Sequence, residues 1–94
     1  MEGGILEYKG VIGSQRRMTI PRIYVLTYGV WEGSVVSVRL YNRENFRDSE
    51  FLAQVQRGFR FQIPRVEYQH LGLRRGSVLD IRIEKVEGGK VAAS

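Results

Sequence analysis

Six arginines stand where residue type and spacing allow chemistry: Arg16, Arg17 and Arg22 early in the chain, and Arg57, Arg60 and Arg65 later. A guanidinium is planar and permanently charged, and its fork of donors bonds two phosphate oxygens, or a guanine edge, at once. Arg17 and Arg22 flank an Ile-Pro step, and Arg60 and Arg65 flank a second one. Other chemistries find little support. The chain has no cysteine and one histidine, His70, which excludes thiolate sites and multi-histidine metal centres. It offers no Ser-His-Asp set and no phosphate loop, and Gly3-Gly4 and Gly88-Gly89 lie at the two ends. A binding protein without catalytic residues, metal or cofactor is the expectation.

The charge balance agrees. Fifteen Lys and Arg against ten Asp and Glu give a net charge of +5, and twelve of the fifteen are arginine. Such a balance suits an anionic partner, and nucleic acid is the commonest one. The competing account is that the arginines pair with Glu7, Glu67 or Asp80 and merely solvate the surface. Five tyrosines are present, but not in the clustered string that stacks single-stranded bases. At 94 residues and 43% apolar the chain suffices for one core. No apolar run approaches the roughly 20 residues of a spanning helix. Met1-Glu2-Gly3-Gly4 lacks the charged start and apolar stretch of a secretory signal. A cytoplasmic protein without a membrane partner is expected.

The elements that must position the arginines come from a repeat. Residues 17–40 align without a gap on 60–83, 43 residues later, with nine of 24 positions identical; average composition gives about one or two. Arg17-Met18-Thr19-Ile20-Pro21-Arg22 returns as Arg60-Phe61-Gln62-Ile63-Pro64-Arg65, Gly33-Ser34-Val35 as Gly76-Ser77-Val78, and Arg39 as Arg82. Each copy is too small to bury a core alone, so the two predict one domain with an internal pseudo-two-fold axis. Alternation places strands at 5–12, 17–20 and 35–41, and again at 51–55, 60–63 and 78–83. Pro21 and Pro64 stop a ladder and start a short helix, whose N-terminus adds free backbone N–H groups. Gly29 and Gly72 end the helices. The organisation is therefore repeat one over 5–41, a polar linker over 42–50, repeat two over 51–87 and a frayed tail over 88–94. Each repeat is ββαβ, with its first two strands joined by a tight hairpin loop. Ile20, Ile63, Val36, Val38, Leu79 and Ile81 fall on the apolar phase and form the predicted core. Trp31 is placed in the core, with an exposed anchor as the alternative, and Arg39 and Arg82 lie outside near Glu84 or Asp80.

The pattern of strand pair, Ile-Pro, short helix, Gly turn and alternating strand resembles the AbrB-like transition-state regulators, a family that shares this unit with MraZ and SpoVT. The clearest stretch runs from Arg60-Phe61-Gln62-Ile63-Pro64-Arg65 through Leu71-Gly72-Leu73-Arg74-Arg75-Gly76-Ser77-Val78-Leu79-Asp80-Ile81. The resemblance implies a mainly β protein with two short helices, folded as a small pseudo-two-fold swapped-hairpin β-barrel within one chain. A double-psi β-barrel is the alternative; its loop between the first two strands is typically long, whereas Gly13–Arg16 and Gln56–Phe59 are short. The resemblance further implies a transcriptional regulator or chromatin-type protein of the prokaryotic cytoplasm or nucleoid, contacting duplex DNA through paired arginine-bearing hairpins. Serine, at Ser34 and Ser77, stands where the family commonly has Asp after the turn glycine; its hydroxyl still bonds nearby backbone N–H groups. Gly10-Val11 and Ala53-Gln54, and Val25-Leu26 and Tyr68-Gln69, stand where the family often carries basic pairs. Arg17 and Arg60 are kept. Apolar helix residues in those places suggest burial or a contact with another subunit. The alternative function is a non-catalytic adaptor that recognises a protein partner.

Overall fold

The computed structural model describes residues 5–86. Its elements are β1 (Ile5–Val11), β2 (Arg17–Thr19), α1 (Arg22–Tyr28), β3 (Val35–Asn42), β4 (Arg47–Gln54), β5 (Arg60–Gln62), α2 (Arg65–His70) and β6 (Val78–Lys85). The protein is thus mainly β with two short helices. β1, β6, β3 and β4, in that order, make a four-stranded antiparallel sheet, and β2 and β5 make a separate two-stranded ribbon. The two sheets do not close into one barrel. Alternation sets their inner faces: Val36, Val38, Leu40, Leu79, Ile81 and Ile83 from the four-stranded sheet meet Met18, Ile20, Phe61 and Ile63 from the ribbon in one core. All six residues assigned to the core by their phase are at most 2% exposed.

The repeat becomes an axis. In the ribbon Met18 opposes Phe61, and in the large sheet Arg39 opposes Arg82. Each of these pairs is a residue and its own repeat mate, so the pseudo-two-fold axis runs through both. Register obeys it throughout: Leu6 opposes Ile83 as Ser49 opposes Leu40. Loop hydrogen bonds come in matched pairs as well. Ile20 N donates to Phe59 O and Ile63 N to Arg16 O, both at 2.8 Å.

Two expectations need correction. The first two strands of each repeat do not form a hairpin with each other. β1 pairs with β6 and β2 with β5, so every strand of the expected hairpins takes its partner from the other repeat. The turns that redirect the chain hold two consecutive left-handed residues, Gln15 and Arg16 (φ 58 and 59) and Gly58 and Phe59 (φ 82 and 59). The polar segment 42–50 is not a linker: β3 runs to Asn42 and β4 starts at Arg47, pairing with it. Its polarity serves the end of α2. Asn42 Nδ2 and Asn45 Nδ2 donate to Leu71 O at 2.8 and 2.9 Å, and Arg47 Nη1 donates to His70 O at 2.9 Å. Carbonyls at a helix end have no partner within the helix, and these side chains supply one. The tail assigned to 88–94 lies outside the described residues.

The helices are held differently in the two halves. In the first, Tyr24 and Tyr28 on α1 stack with ring centroids 5.8 Å apart, and Tyr8 on β1 stacks on Tyr24 at 6.3 Å. Tyr8 Oη donates to Thr19 O at 3.1 Å. Burial, then the nearby Tyr24, push the Tyr8 phenol above its ordinary value. A phenol with a raised folded-state pKa stabilises the fold fully below its unfolded value of about 10 and loses that stabilisation as the pH rises beyond it. Alkaline unfolding is therefore expected to begin above about pH 10, with a shallower alkaline limb in Tyr8→Phe; stability measured by urea melts across pH reads this. An identical limb in both chains would contradict it.

Candidate nucleic-acid interface

The outward face of the ribbon is built by alternation. Met18 and Phe61 point into the core, so Arg17 and Thr19 on β2, and Arg60 and Gln62 on β5, point out. Arg17 opposes Gln62 and Thr19 opposes Arg60. The two arginines are thus diagonal neighbours across the axis, with Cα atoms about 7–8 Å apart. The Gln15 side chain accepts a hydrogen bond from Arg17 Nη2, and Gln62 Nε2 donates to Gln15 O at 2.9 Å, which ties the turn to the ribbon. Arg17 Nε is buried without a hydrogen-bond partner among the described residues.

The other candidates divide unevenly. Arg22 and Arg65 are true mates, each the first, exposed residue of its helix. Arg16 and Arg57 are not mates of one another: the repeat sets Phe59 against Arg16 and Ser14 against Arg57. Arg16 is half-buried, and its Nε donates to Ile63 O at 3.0 Å. It lines, with Arg65, Tyr68, Gln69, Gly72 and Leu73, a groove of about 430 Å³ beside the ribbon. Arg57 is exposed in the turn before β5. The six candidates therefore divide into two equivalent pairs, Arg17/Arg60 and Arg22/Arg65, plus two arginines unique to their half. With seven and six residues, the helices are too short for their dipoles to add much.

Charge is sorted by face. The ion pairs among the described residues are Arg39–Asp48 at 3.0 Å, Arg43–Asp80 at 2.6 Å and Arg82–Glu7 at 3.4 Å, all on the outer side of the four-stranded sheet. Arg39 and Arg82 are exterior as expected, but their partners are Asp48 and Glu7 rather than Glu84 or Asp80. Two like charges opposed on the axis repel, and a carboxylate from each outer strand answers one of them. Asp80, by hydrogen bond and charge, raises Arg43 above its ordinary value and keeps it cationic. None of the six candidate arginines forms an ion pair among the described residues. Of the carboxylates proposed to neutralise them, Glu7 and Asp80 hold other arginines and Glu67 accepts from the Ser49 hydroxyl.

Two neutral residues escaped the sequence reading of the site. Thr19 and Gln62 complete the ribbon face with neutral hydrogen-bonding groups; the alternation within Arg17-Met18-Thr19 and Arg60-Phe61-Gln62 carries that signal. Arg74 and Arg75 sit in the turn before β6. Gly76 N in that turn donates to Ile12 O at 3.0 Å, which sets the two cations beside the Gly13–Arg16 turn. At the other end the equivalent turn holds Trp31 and Glu32, and Glu32 Oε2 accepts from Gly58 N at 2.7 Å. The ribbon is therefore more positive at one end than at the other.

The turn serines behave as expected. Ser34 Oγ accepts from Trp31 N and Ser77 Oγ from Arg74 N, both at 3.0 Å. The apolar or small residues at the places of the family's basic pairs divide between core and surface. Gly10 faces inward: a Cβ there would lie 2.6 Å from Ile81 Cδ1 and 3.0 Å from Met18 Cε. An arginine side chain has no room at that point. Val25 is buried, whereas Leu26 is exposed. Trp31, placed in the core by its sequence, is 54% exposed. No helix among the described residues is long and apolar enough to cross a membrane.

No family model matches the chain, and no curated protein does. Among solved structures it is similar to PHS018 from Pyrococcus horikoshii, determined in solution. The TM-score is 0.76 at 21% identity, over 84% of this chain and 89% of that one. At that identity the likeness is one of fold alone.

Proposed function

We propose that this chain binds duplex DNA through the outward face of the β2–β5 ribbon, as a regulator or chromatin-type protein of the AbrB-like kind rather than as an enzyme. The sorting of charge carries this reading. Arg17 and Arg60 project from one ribbon about the axis without an ion-pair partner among the described residues, while the paired arginines lie on the opposite layer. A face of unpaired guanidiniums flanked by Thr19 and Gln62 suits phosphate oxygens, which accept from charged and neutral donors alike. Arg22, Arg65, Arg16 and Arg57 extend it along the backbone of the duplex. Few side chains are left to reach base edges, so sequence preference is modest. Exchange of strand partners between repeats supports the finer reading of the fold as two interlocked ββαβ units of the swapped-hairpin barrel type. The tight turns at 13–16 and 56–59 favour it over the double-psi alternative. The cytoplasm or nucleoid of a prokaryote is the compartment that this function implies.

A titration of duplex DNA with the chain at several salt concentrations tests the reading. Counterions are released as phosphates are neutralised, so four to six contacts give a log–log slope of about −4 to −5. A chain that binds no duplex at low salt would leave the adaptor reading in its place.

A further inference from the structure

The pseudo-two-fold axis sets one turn at each end of the ribbon, 31–34 at one and 74–77 at the other. Both are held alike. Gly76 N donates to Ile12 O and Ile12 N to Ser77 O, each at 3.0 Å. At the mate positions Gly33 N donates to Val55 O at 2.7 Å and Val55 N to Ser34 O at 2.8 Å. Gly33 and Gly76 share a φ of 93. One backbone thus carries Trp31-Glu32 at one end and Arg74-Arg75 at the other, and the fold itself requires neither pair. Charge differs accordingly. Segments 12–16, 63–65 and 73–77 make one end and hold Arg16, Arg65, Arg74 and Arg75 with no carboxylate. Their mates, 55–59, 20–22 and 30–34, hold Arg57 and Arg22 with Glu32. Arg16 and Arg65 line one groove. Arg74 and Arg75 are exposed, and neither forms an ion pair among the described residues. Four like charges gathered at one end repel one another in the free chain.

Taking the β2–β5 ribbon as the DNA face, on which this rests, we propose that Arg74 and Arg75 are further phosphate-binding residues that make the contact one-sided. The duplex runs from the ribbon over the 13–16 turn and past Arg74 and Arg75, and away from Trp31 and Glu32. A duplex carries a charge about every 1.7 Å of its axis, so one that passes over this end meets four guanidiniums. Over the other end it would meet the Glu32 carboxylate, which Gly58 N holds in place and which repels phosphate. The class of target follows. Two equal ends suit a palindromic site, whose symmetry mirrors that of the protein. Unequal ends suit a duplex site without that symmetry, bound in one orientation.

Salt titrations against duplex DNA test this. Arg74→Gln with Arg75→Gln is expected to flatten the log–log slope by about two units, and Arg75→Gln alone by about one. Arg39→Gln with Arg82→Gln removes the same charge from the other layer and is expected to leave the slope unchanged. Trp31 is the one tryptophan and reports on the far end. Its emission is expected to stay as it is when duplex is added. Arg74→Trp with Trp31→Phe moves that reporter to the mate position, where duplex is expected to quench it. The inference is overturned if Arg74→Gln with Arg75→Gln keeps the parent's slope, or if duplex changes the emission of Trp31 in the parent. Failure of the DNA reading looks different. The parent then binds no duplex, or Arg17→Gln with Arg60→Gln keeps the parent's slope, and the one-sided contact falls with it. Trp31 emission is read in the parent, so it can refute the inference even where a variant fails to fold.

Discussion

A chain with Arg17 and Arg60 both changed to glutamine is expected to bind duplex DNA more weakly at low salt, with a salt slope shallower by about two units. Each arginine neutralises one phosphate in the proposed complex, and glutamine keeps a donor of similar reach without the charge. The two are repeat mates on opposite sides of the Met18–Phe61 pair. Either single change is therefore expected to remove about one unit of slope, to a similar degree. Loss is uniform across DNA sequences, because phosphate contacts carry no base information. Arg39→Gln with Arg82→Gln serves as the control. Those arginines face away on the other layer and hold Asp48 and Glu7, so the slope is expected to stay as in the parent. Equal slopes in the ribbon variant and the parent would contradict the proposal.

Phe61→Ala is expected to cost about 3–5 kcal/mol in urea unfolding, and Ile63→Ala about 2–5 kcal/mol. Phe61 is fully buried on the axis and packs at a tilt against Phe51, with ring centroids 6.4 Å apart. Its removal leaves a void that both layers line, so neither can close it alone. The exchange Met18→Phe with Phe61→Met makes the same point from the other side. It keeps total volume about the axis and is expected to cost under about 1.5 kcal/mol. A loss below about half a kcal/mol for either alanine would mean that the ribbon does not bear on the core.

The sequence carried the symmetry further than the topology. An ungapped offset between copies implied an axis, and the Met18–Phe61 and Arg39–Arg82 pairs lie on it because an antiparallel pair centred on a two-fold must match a residue with its mate. Strand partners were not legible. Alternation tells which side of a strand is wet and says nothing of what lies beside it. The tight turns at 13–16 and 56–59 looked like hairpin loops, yet their left-handed residues send each chain to the other repeat. Segment 42–50 was misread because an edge strand with charged outward positions has little apolar pattern. Its asparagines cap α2 carbonyls, a task that no local pattern announces. Trp31 was misplaced because size and apolarity favour burial, while the turn between Gly29 and Gly33 holds it outside. For the site, Arg17, Arg60, Arg22 and Arg65 were readable from the duplicated motif. Arg16 and Arg57 were grouped with them by proximity in sequence, although their mates are Phe59 and Ser14.

The most direct test of the account is a map of backbone amide shifts as duplex DNA is added at low salt. The account predicts changes centred on Arg17, Thr19, Arg60 and Gln62, spreading to the turns at 13–16 and 56–59, with Ser37, Arg39, Asp80 and Arg82 unmoved. Changes centred on the four-stranded sheet, or none at all, would contradict it.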